Sequence, residues 1–398
     1  MHLRRVALLG IVLALALPAS GLGQTAPAPA PDRRRQAALA LEQQGKNADA
    51  EAAWRVYLQT HPSSPEPYAH LGLLEARQEH YKAAVPLYRK ALEMGPDVPG
   101  LRLNLGLALF KSGELKEAIQ EFAPLLKSQP GNQQLNTLTG MAHYGLAEYA
   151  EAVPFLKEAA AHDAQNLTLR LYLAQSCLWS KQSQCVLDVY REILALDSES
   201  AEADMLAGEA LDEMKDNEGS TKMFRAAVKV NPKEPNAHFG LGYLLWTLKQ
   251  YKEAASEFQA ELGNDPDHIQ AMLYLADSDI QMNRIEDARP LLEKVVKLNP
   301  ALGLGHLDLG IVYTEAGRNE DAMRELTAAE KLMPDDVNVH WRLGRLYRVL
   351  GKKEEAKAEF DKASTLNKAV DEDLYKKIAN GHPRPVPAQE PATAPPDK

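Results

Sequence analysis

Two cysteines, Cys177 and Cys185, are the residues whose type and spacing point most directly to covalent chemistry. They stand eight positions apart, one on either side of a predicted helix break. In an oxidising compartment they can form a disulfide, which would close a short loop and contribute about 2–3 kcal/mol of stability. The sequence leaves two alternatives equally open, a disulfide and two free thiols. Two cysteines cannot supply a four-cysteine zinc site.

Two other groups resemble parts of a reaction centre but fit a helix better. Asp277 and Asp279 lie two apart on one predicted helix, so their side chains diverge and form a polar patch rather than a metal site. Gly303 and Gly305 open a helix without the preceding strand that a phosphate-binding glycine loop needs. The sequence also lacks the HExxH, GxSxG, GxxxxGK[ST] and CxxC patterns. We therefore expect no catalytic residue, no metal site and no cofactor.

The charge balance argues against one class of partner. The 398 residues include 45 basic and 55 acidic side chains, a formal net charge of −10. A general nucleic-acid binder needs a basic footprint to displace counterions from phosphates. We therefore expect a protein or peptide partner and no nucleic acid.

The elements that must position these residues repeat every 34 positions. Prolines fall at this interval or three times it, at Pro62, Pro96, Pro130, Pro232, Pro266, Pro300 and Pro334. Ten repeats run from 31 to 370 without an insertion: 31–64, 65–98, 99–132, 133–166, 167–200, 201–234, 235–268, 269–302, 303–336 and 337–370. A repeat of this length indicates a stacked array rather than several globular domains.

The sequence of each repeat predicts two helices packed against each other. The eighth position is always Gly or Ala, and a large apolar residue follows 16 positions later, as in Gly72 with Tyr88 and Gly106 with Phe122. The small residue lets the two backbones approach, and the large one fills the space beside it. A single helical hairpin cannot bury its own apolar face, so neighbouring repeats must share a core. The pattern predicts an all-α solenoid.

These features resemble the tetratricopeptide repeat family. The second repeat carries the family pattern as Tyr68, Leu71, Gly72, Ala84, Tyr88, Ala91 and Pro96, and the tenth as Leu343, Gly344, Tyr347, Gly351, Ala356, Phe360 and Ala363. The resemblance implies a right-handed superhelix of about ten repeats, with a non-enzymatic role in protein–protein interaction. His238, His306 and His340 share the fourth position of three repeats, which favours a packing role over a binding or catalytic site.

The resemblance also implies a concave groove lined by the first helix of each repeat. Its groove-facing positions carry apolar residues where a solvated face would be polar, and such a stripe is typical of a protein-binding surface. The alternative is closer packing that buries some of them. The predicted groove residues are Leu73, Leu107, Phe110, Met141, Tyr144, Trp179, Met205, Phe239, Tyr243, Trp246, Ile311 and Trp341, with Leu103, Leu171, Leu178, Leu273 and Leu307 at related positions.

Charge varies along this predicted groove. The sixth repeat contributes Glu202, Glu209, Asp212 and Glu213, and the tenth repeat contributes Arg342, Arg345 and Arg348. This polarity can orient a bound segment. Some family members bind chaperone carboxyl termini through Lys and Asn at the fifth and ninth positions, but those positions are mostly apolar here. A cytosolic co-chaperone role is therefore not expected.

The two ends predict export and flexible extensions. Residues 1–23 combine a basic start, an apolar run of 12 and small residues, which is typical of a signal peptide and too short for a membrane span. Segments 24–32 and 382–398 are proline-rich, the first predicted as a linker and the second as a disordered tail. Segment 371–381 predicts a separate capping helix. We expect an exported protein that resides in the periplasm, with secretion or association with the envelope as the alternatives; its oligomeric state is left open.

Two functional alternatives to groove binding stay open from the sequence. One is a scaffold for envelope assembly, in exopolysaccharide export or pilus biogenesis, that docks through other surfaces. The other is an enzyme with a site hidden in the groove, for which the sequence offers no convergent acid, base or metal ligands.

Overall fold

The computed structural model of the protein describes residues 32–95 and 100–381, with only the backbone described from 369 onward. All regular secondary structure in these ranges is α-helical. The predicted signal peptide, most of the linker and the predicted tail lie outside the described residues. The described part confirms the all-α repeat predicted from the sequence.

The chain divides into two compact units, 1–216 and 217–398. The first unit contains α1 Arg33–Gln43, α2 Asn47–Thr60, α3 Pro65–Arg77, α4 Tyr81–Met94, α5 Leu101–Ser112, α6 Leu115–Ser128, α7 Gln133–Gly145, α8 Tyr149–His162, α9 Leu167–Trp179, α10 Ser183–Leu196 and α11 Ala201–Glu213. The second contains α12 Asn217–Val230, α13 Ala237–Thr247, α14 Tyr251–Asn264, α15 Ile269–Gln281, α16 Ile285–Leu298, α17 Gly303–Glu315, α18 Asn319–Leu332, α19 Val337–Val349 and α20 Lys353–Gly381.

Odd-numbered helices are the first helices of the repeats and even-numbered helices the second. The second helices begin at 34-residue intervals, at Asn47, Tyr81, Leu115, Tyr149, Ser183, Asn217, Tyr251, Ile285, Asn319 and Lys353. Each is preceded by a residue with positive φ at the fifteenth position of its repeat. That residue is glycine in only four repeats, at Gly45, Gly113, Gly317 and Gly351. The other repeats accept the left-handed conformation in residues such as Lys249 and Asn283, so this turn is held by the packing of the helices.

The contact between the eighth and twenty-fourth positions is as close as the sequence predicts. A Cβ atom added to Gly106 would lie 2.5 Å from Cε1 of Phe122, and one added to Gly242 would lie 2.8 Å from Cε1 of Phe258. Both phenylalanines are fully buried. The missing side chain therefore sets how closely the two helices of a hairpin approach.

Cys177 and Cys185 form a disulfide between α9 and α10. Their Cα atoms are 5.8 Å apart, within the usual range for a bridged pair. The structure therefore selects the disulfide from the two alternatives that the sequence left open. The bond ties the two helices together across their tight turn.

The segment 371–381, predicted as a capping helix, is helical in the structure but is not an element of its own. The structure continues α20 without a break from Lys353 to Gly381. The physical reason is local: Lys368 stands where seven other repeats have proline, and no glycine or proline interrupts the helix before Gly381. Nothing in the backbone chemistry stops the helix at the end of the tenth repeat.

Replacing Gly242 with alanine tests the close approach of helices. We expect Gly242→Ala to lower the free energy of unfolding by about 1–3 kcal/mol, because Phe258 has no room to move aside. Gly263→Ala is the matched control in the same repeat, since an added Cβ there meets nothing within 4 Å. That control should leave stability unchanged or raise it by about 0.5 kcal/mol. Urea unfolding followed by circular dichroism measures both. Equal effects would contradict the proposed constraint.

Candidate partner-binding faces

Side chains of neighbouring first helices meet in a fixed register. Tyr144 donates from its hydroxyl to Gln175 Oε1 at 2.5 Å, and Trp246 donates from Nε1 to Asp277 at 2.5 Å, each across 31 residues. A residue on one first helix therefore lies beside the residue three positions earlier in the next repeat. We call the surface formed by these side chains of successive first helices the first-helix face, and describe it separately for each of the two compact units.

The structure buries part of the predicted groove. Leu73 and Leu107 are each 5% exposed and Phe110 is 6% exposed. The same holds for Leu178, Leu273 and Leu307. Placing these residues on an open surface is wrong, because neighbouring helices cover them. Leu107 and Phe110 are buried in one core together with residues of α4 and α7, and Leu273 and Leu307 share another core. The alternative of closer packing is correct for these six residues.

The first unit retains an aromatic group on its face. The rings of Tyr144 and Tyr172 are 4.8 Å apart, and those of Tyr149 and Trp179 are 4.6 Å apart. Trp179 is 47% exposed. Burial and the neighbouring Tyr172 raise the pKa of the Tyr144 hydroxyl, which stays protonated and donates to Gln175. Met141 and Met205, with Leu103 and Leu171, are half-buried in this unit.

A polar ladder extends from this aromatic group. Gln175 Nε2 donates to Glu202 Oε1 at 2.7 Å, so Tyr144, Gln175 and Glu202 are linked across three repeats. Glu213 is also engaged, since it accepts from Lys181 and from Ser183. Part of the acidic character predicted for the sixth repeat is thus taken up by partners within the same unit.

The second unit has a larger aromatic wall. Tyr274, which the sequence reasoning did not single out, lies 5.2 Å from the ring of Tyr243 and 5.0 Å from that of Trp246. Phe239 joins it at 6.1 Å. Tyr243 remains 39% exposed, so the wall is open to a partner. The signal for Tyr274 was the register: it sits 31 positions after Tyr243, as Asp277 sits 31 after Trp246.

Two carboxylates continue the wall. Asp277 accepts from Trp246, whereas Asp279 pairs with Arg284, so the two aspartates diverge as predicted. The same 31-residue register predicts that Asp308 lies next to Asp277. Burial, followed by the charge of Asp277, raises the pKa of Asp308 to about 7. Its side chain has neither a hydrogen bond nor an ion pair with any residue whose side chain the structure describes.

Arginines on α19 form the next part of the face. The guanidinium carbons of Arg342 and Arg345 lie 5.2 Å and 4.9 Å from the ring centroid of Trp341, which is 42% exposed. Burial and the charge of Arg345 lower the pKa of Arg342. Arg348 lies instead over Phe360, and Ile311 is half-buried against the core of this unit.

The shared histidines link the two helices of their hairpins. His238 pairs with Glu257 at 2.6 Å, His306 with Glu325 at 2.8 Å and His340 with Glu359 at 2.7 Å, each 19 residues apart. Glu330 lies close to the pair of His340 and Glu359. One carboxylate oxygen of each glutamate and a ring nitrogen of His340 all lie within 4.8 Å of one another. Among side chains described, these three residues are the ones that could hold a metal. The same pair recurs in repeats where valine replaces Glu330, which favours its role as a hairpin link.

Sequence comparison decides the family. Two models described as tetratricopeptide repeats match the chain, one over 75–142, 245–302 and 313–378 and the other over 35–99 and 206–269. Together these ranges take in more than half of the sequence. The chain belongs to the tetratricopeptide repeat (TPR) family.

Solved structures similar to this TPR protein include YrrB, a TPR protein with an unusual peptide-binding site, at 18% identity and a TM-score of 0.41, over 48% of this chain and 97% of that one. MamA matches at 18% identity and a TM-score of 0.39, over 42% of this chain and 96% of that one. MamA from Desulfovibrio magneticus RS-1, residues 41 to the end, matches at 21% identity and 0.40, over 42% and 96%. No curated protein matches the chain.

The TPR fold supports a protein-interaction scaffold, and its described helices do not include a membrane span. Within residues 32–95 and 100–381, none of the helices is both long and apolar enough to cross a bilayer.

The raised pKa of Asp308 makes the stability of this TPR protein depend on pH. Between about pH 4 and about pH 7 the unfolded chain releases this proton while the folded protein keeps it, so the free energy of unfolding falls as pH rises. Asparagine does not ionise. We expect Asp308→Asn to be more stable than the native protein by about 1–3 kcal/mol at pH 8, and by much less at pH 4.

Urea unfolding at both pH values measures this difference. Asp335→Asn, which removes the same charge from an exposed turn of the same unit, is the control and should show no comparable gain. A gain for Asp308→Asn that is the same at pH 4 and pH 8 would contradict the assignment.

Proposed function

We propose that this TPR protein is a non-enzymatic scaffold that binds an extended segment of a partner protein on the first-helix face of its second unit. The observation that carries the proposal is the open aromatic wall of Phe239, Tyr243, Trp246 and Tyr274, continued by carboxylates and arginines on the same face. Tyrosine, tryptophan and arginine are the residues that most often dominate binding energy at protein interfaces.

The distribution of residues favours a linear segment over a compact ligand. The wall lies on α13 and α15, the carboxylates on α15 and α17, and the arginines on α19. Each group sits one repeat further along the second unit, so a partner that contacts all three must extend across successive first helices. An extended peptide meets this requirement with side chains at regular intervals.

We further propose that the protein acts after export, in the periplasm or at the envelope. Residues 1–23 have the pattern of a signal peptide. The disulfide between Cys177 and Cys185 supports this, since such bonds persist in oxidising compartments and are rare in the cytosol. Fractionation of the native host with an antibody to the chain tests the assignment. Recovery in the periplasmic fraction is expected, and recovery in the cytoplasm would overturn it.

The binding face is tested with peptides selected against the purified full chain from a random display library. We expect the double variant Tyr243→Ala and Trp246→Ala to bind the selected peptides at least tenfold more weakly by fluorescence anisotropy, because truncating central aromatic anchors costs about 2 kcal/mol or more. Circular dichroism checks that the variant keeps its helical content.

The matched control is the double variant Leu298→Ala and Leu332→Ala. These residues are also large, apolar and exposed in the second unit, but they lie at the ends of the second helices α16 and α18. Their replacement should leave affinity unchanged. Equal losses in both double variants, or no loss in either, would place binding elsewhere.

A further inference from the structure

The carboxylates of Asp277 and Asp308 form an acidic pair that the second unit leaves only partly compensated. Trp246 Nε1 donates a hydrogen bond to Asp277 Oδ2, and Gln281 Nε2 donates a longer one, of 3.4 Å, to Asp277 Oδ1. Asp308 follows Asp277 by 31 residues, the spacing at which Trp246 contacts Asp277 and Tyr243 contacts Tyr274, and the charge of Asp277 acts on Asp308. Two like charges at one place disfavour each other unless a cation joins them.

Among the side chains described in the second unit, no basic group forms an ion pair with either carboxylate. Arg342 on α19 acts on Asp308 electrostatically but makes no ion pair within 4.0 Å with a described side chain, and Glu315 also draws on its charge. Its guanidinium lies beside the ring of Trp341 and near Arg345. Asp308 is half-buried, and its carboxylate has no hydrogen-bond partner among the described side chains. Its negative charge and that of Asp277 would both be stabilised by a positively charged ligand.

The surroundings of the pair favour an organic cation. Trp246, which holds Asp277, packs edge-on against Tyr274 at 5.0 Å, and Tyr243 stands beside both rings. Aromatic faces next to carboxylates stabilise ammonium and guanidinium groups through cation–π attraction and also bury the aliphatic stem of lysine or arginine. A bare metal ion would gain nothing from the rings and prefers a larger set of oxygen ligands.

We propose that the second unit selects segments in which a lysine or arginine side chain enters between Asp277 and Asp308, while a neighbouring apolar side chain packs on Tyr243 and Tyr274. This selectivity rests on the proposed function, because it names the chemistry of the segment that the same face would bind. Arg342 and Arg345, one repeat beyond Asp308, then favour an acidic group further along the segment, so the bound peptide carries its basic and acidic residues in a fixed order.

The test uses matched peptides on the purified full chain. Fluorescein-labelled decapeptides with capped ends carry one phenylalanine and, two positions away, either lysine or norleucine, which has a similar aliphatic stem but no charge. We expect the lysine peptides to bind at least tenfold more tightly by fluorescence anisotropy. Asp308→Asn and Asp277→Asn should each reduce this preference several-fold, whereas Asp335→Asn should leave it intact.

Several outcomes would overturn the selectivity. Equal affinity for lysine and norleucine peptides, combined with loss of both in the Tyr243→Ala and Trp246→Ala double variant, would reject the cation site and leave the proposed function standing. Failure of every peptide to bind would reject both. Calorimetric binding of calcium ions alone, abolished by Asp308→Asn and accompanied by no lysine preference, would assign the acidic pair to a metal instead.

Discussion

The contact between a small residue on the first helix and a large one on the second governs every other feature of this protein. At Gly106 and Gly242 a single added carbon would collide with a fully buried phenylalanine. The helices of a hairpin can approach closely only because that carbon is missing. Their separation in turn determines where the next hairpin stacks, since neighbours share one core. A repeat that lost this contact would displace the first helices that carry the proposed binding face.

Close stacking also explains why residues 31 apart become neighbours. Tyr144 with Gln175 in the first unit and Trp246 with Asp277 in the second follow the same register. Such pairs use the polar ends of aromatic side chains while their rings remain partly exposed. The scaffold therefore holds its exposed aromatics in place through hydrogen bonds between repeats, which reduces the conformational entropy that a partner must overcome on binding.

The sequence predicted the helices and their pairing well because the 34-residue period follows directly from packing. It could not separate seam positions from open ones: Leu73 and Leu107 share with Met141 a position counted as groove-facing, yet the first two are buried. Burial there depends on the side chains of neighbouring helices, which a single repeat does not record. Asp308 was missed for the same reason, because its significance arises only beside Asp277 on another helix. The continuous α20 shows that missing a stop signal matters as much as having one.

Asp308 is the clearest departure from what stability alone would favour. Burial raises its pKa to about 7, so at neutral pH the fold is close to the point where it must either protonate this group or tolerate its charge. An apolar residue there would pack without that cost, as Ile311 does one turn later on the same helix. Local features that weaken a fold without visible compensation tend to lie where proteins bind or react. In the site proposed above, a partner's cation would supply the missing compensation, so that stability lost by the free scaffold would become selectivity for its ligand.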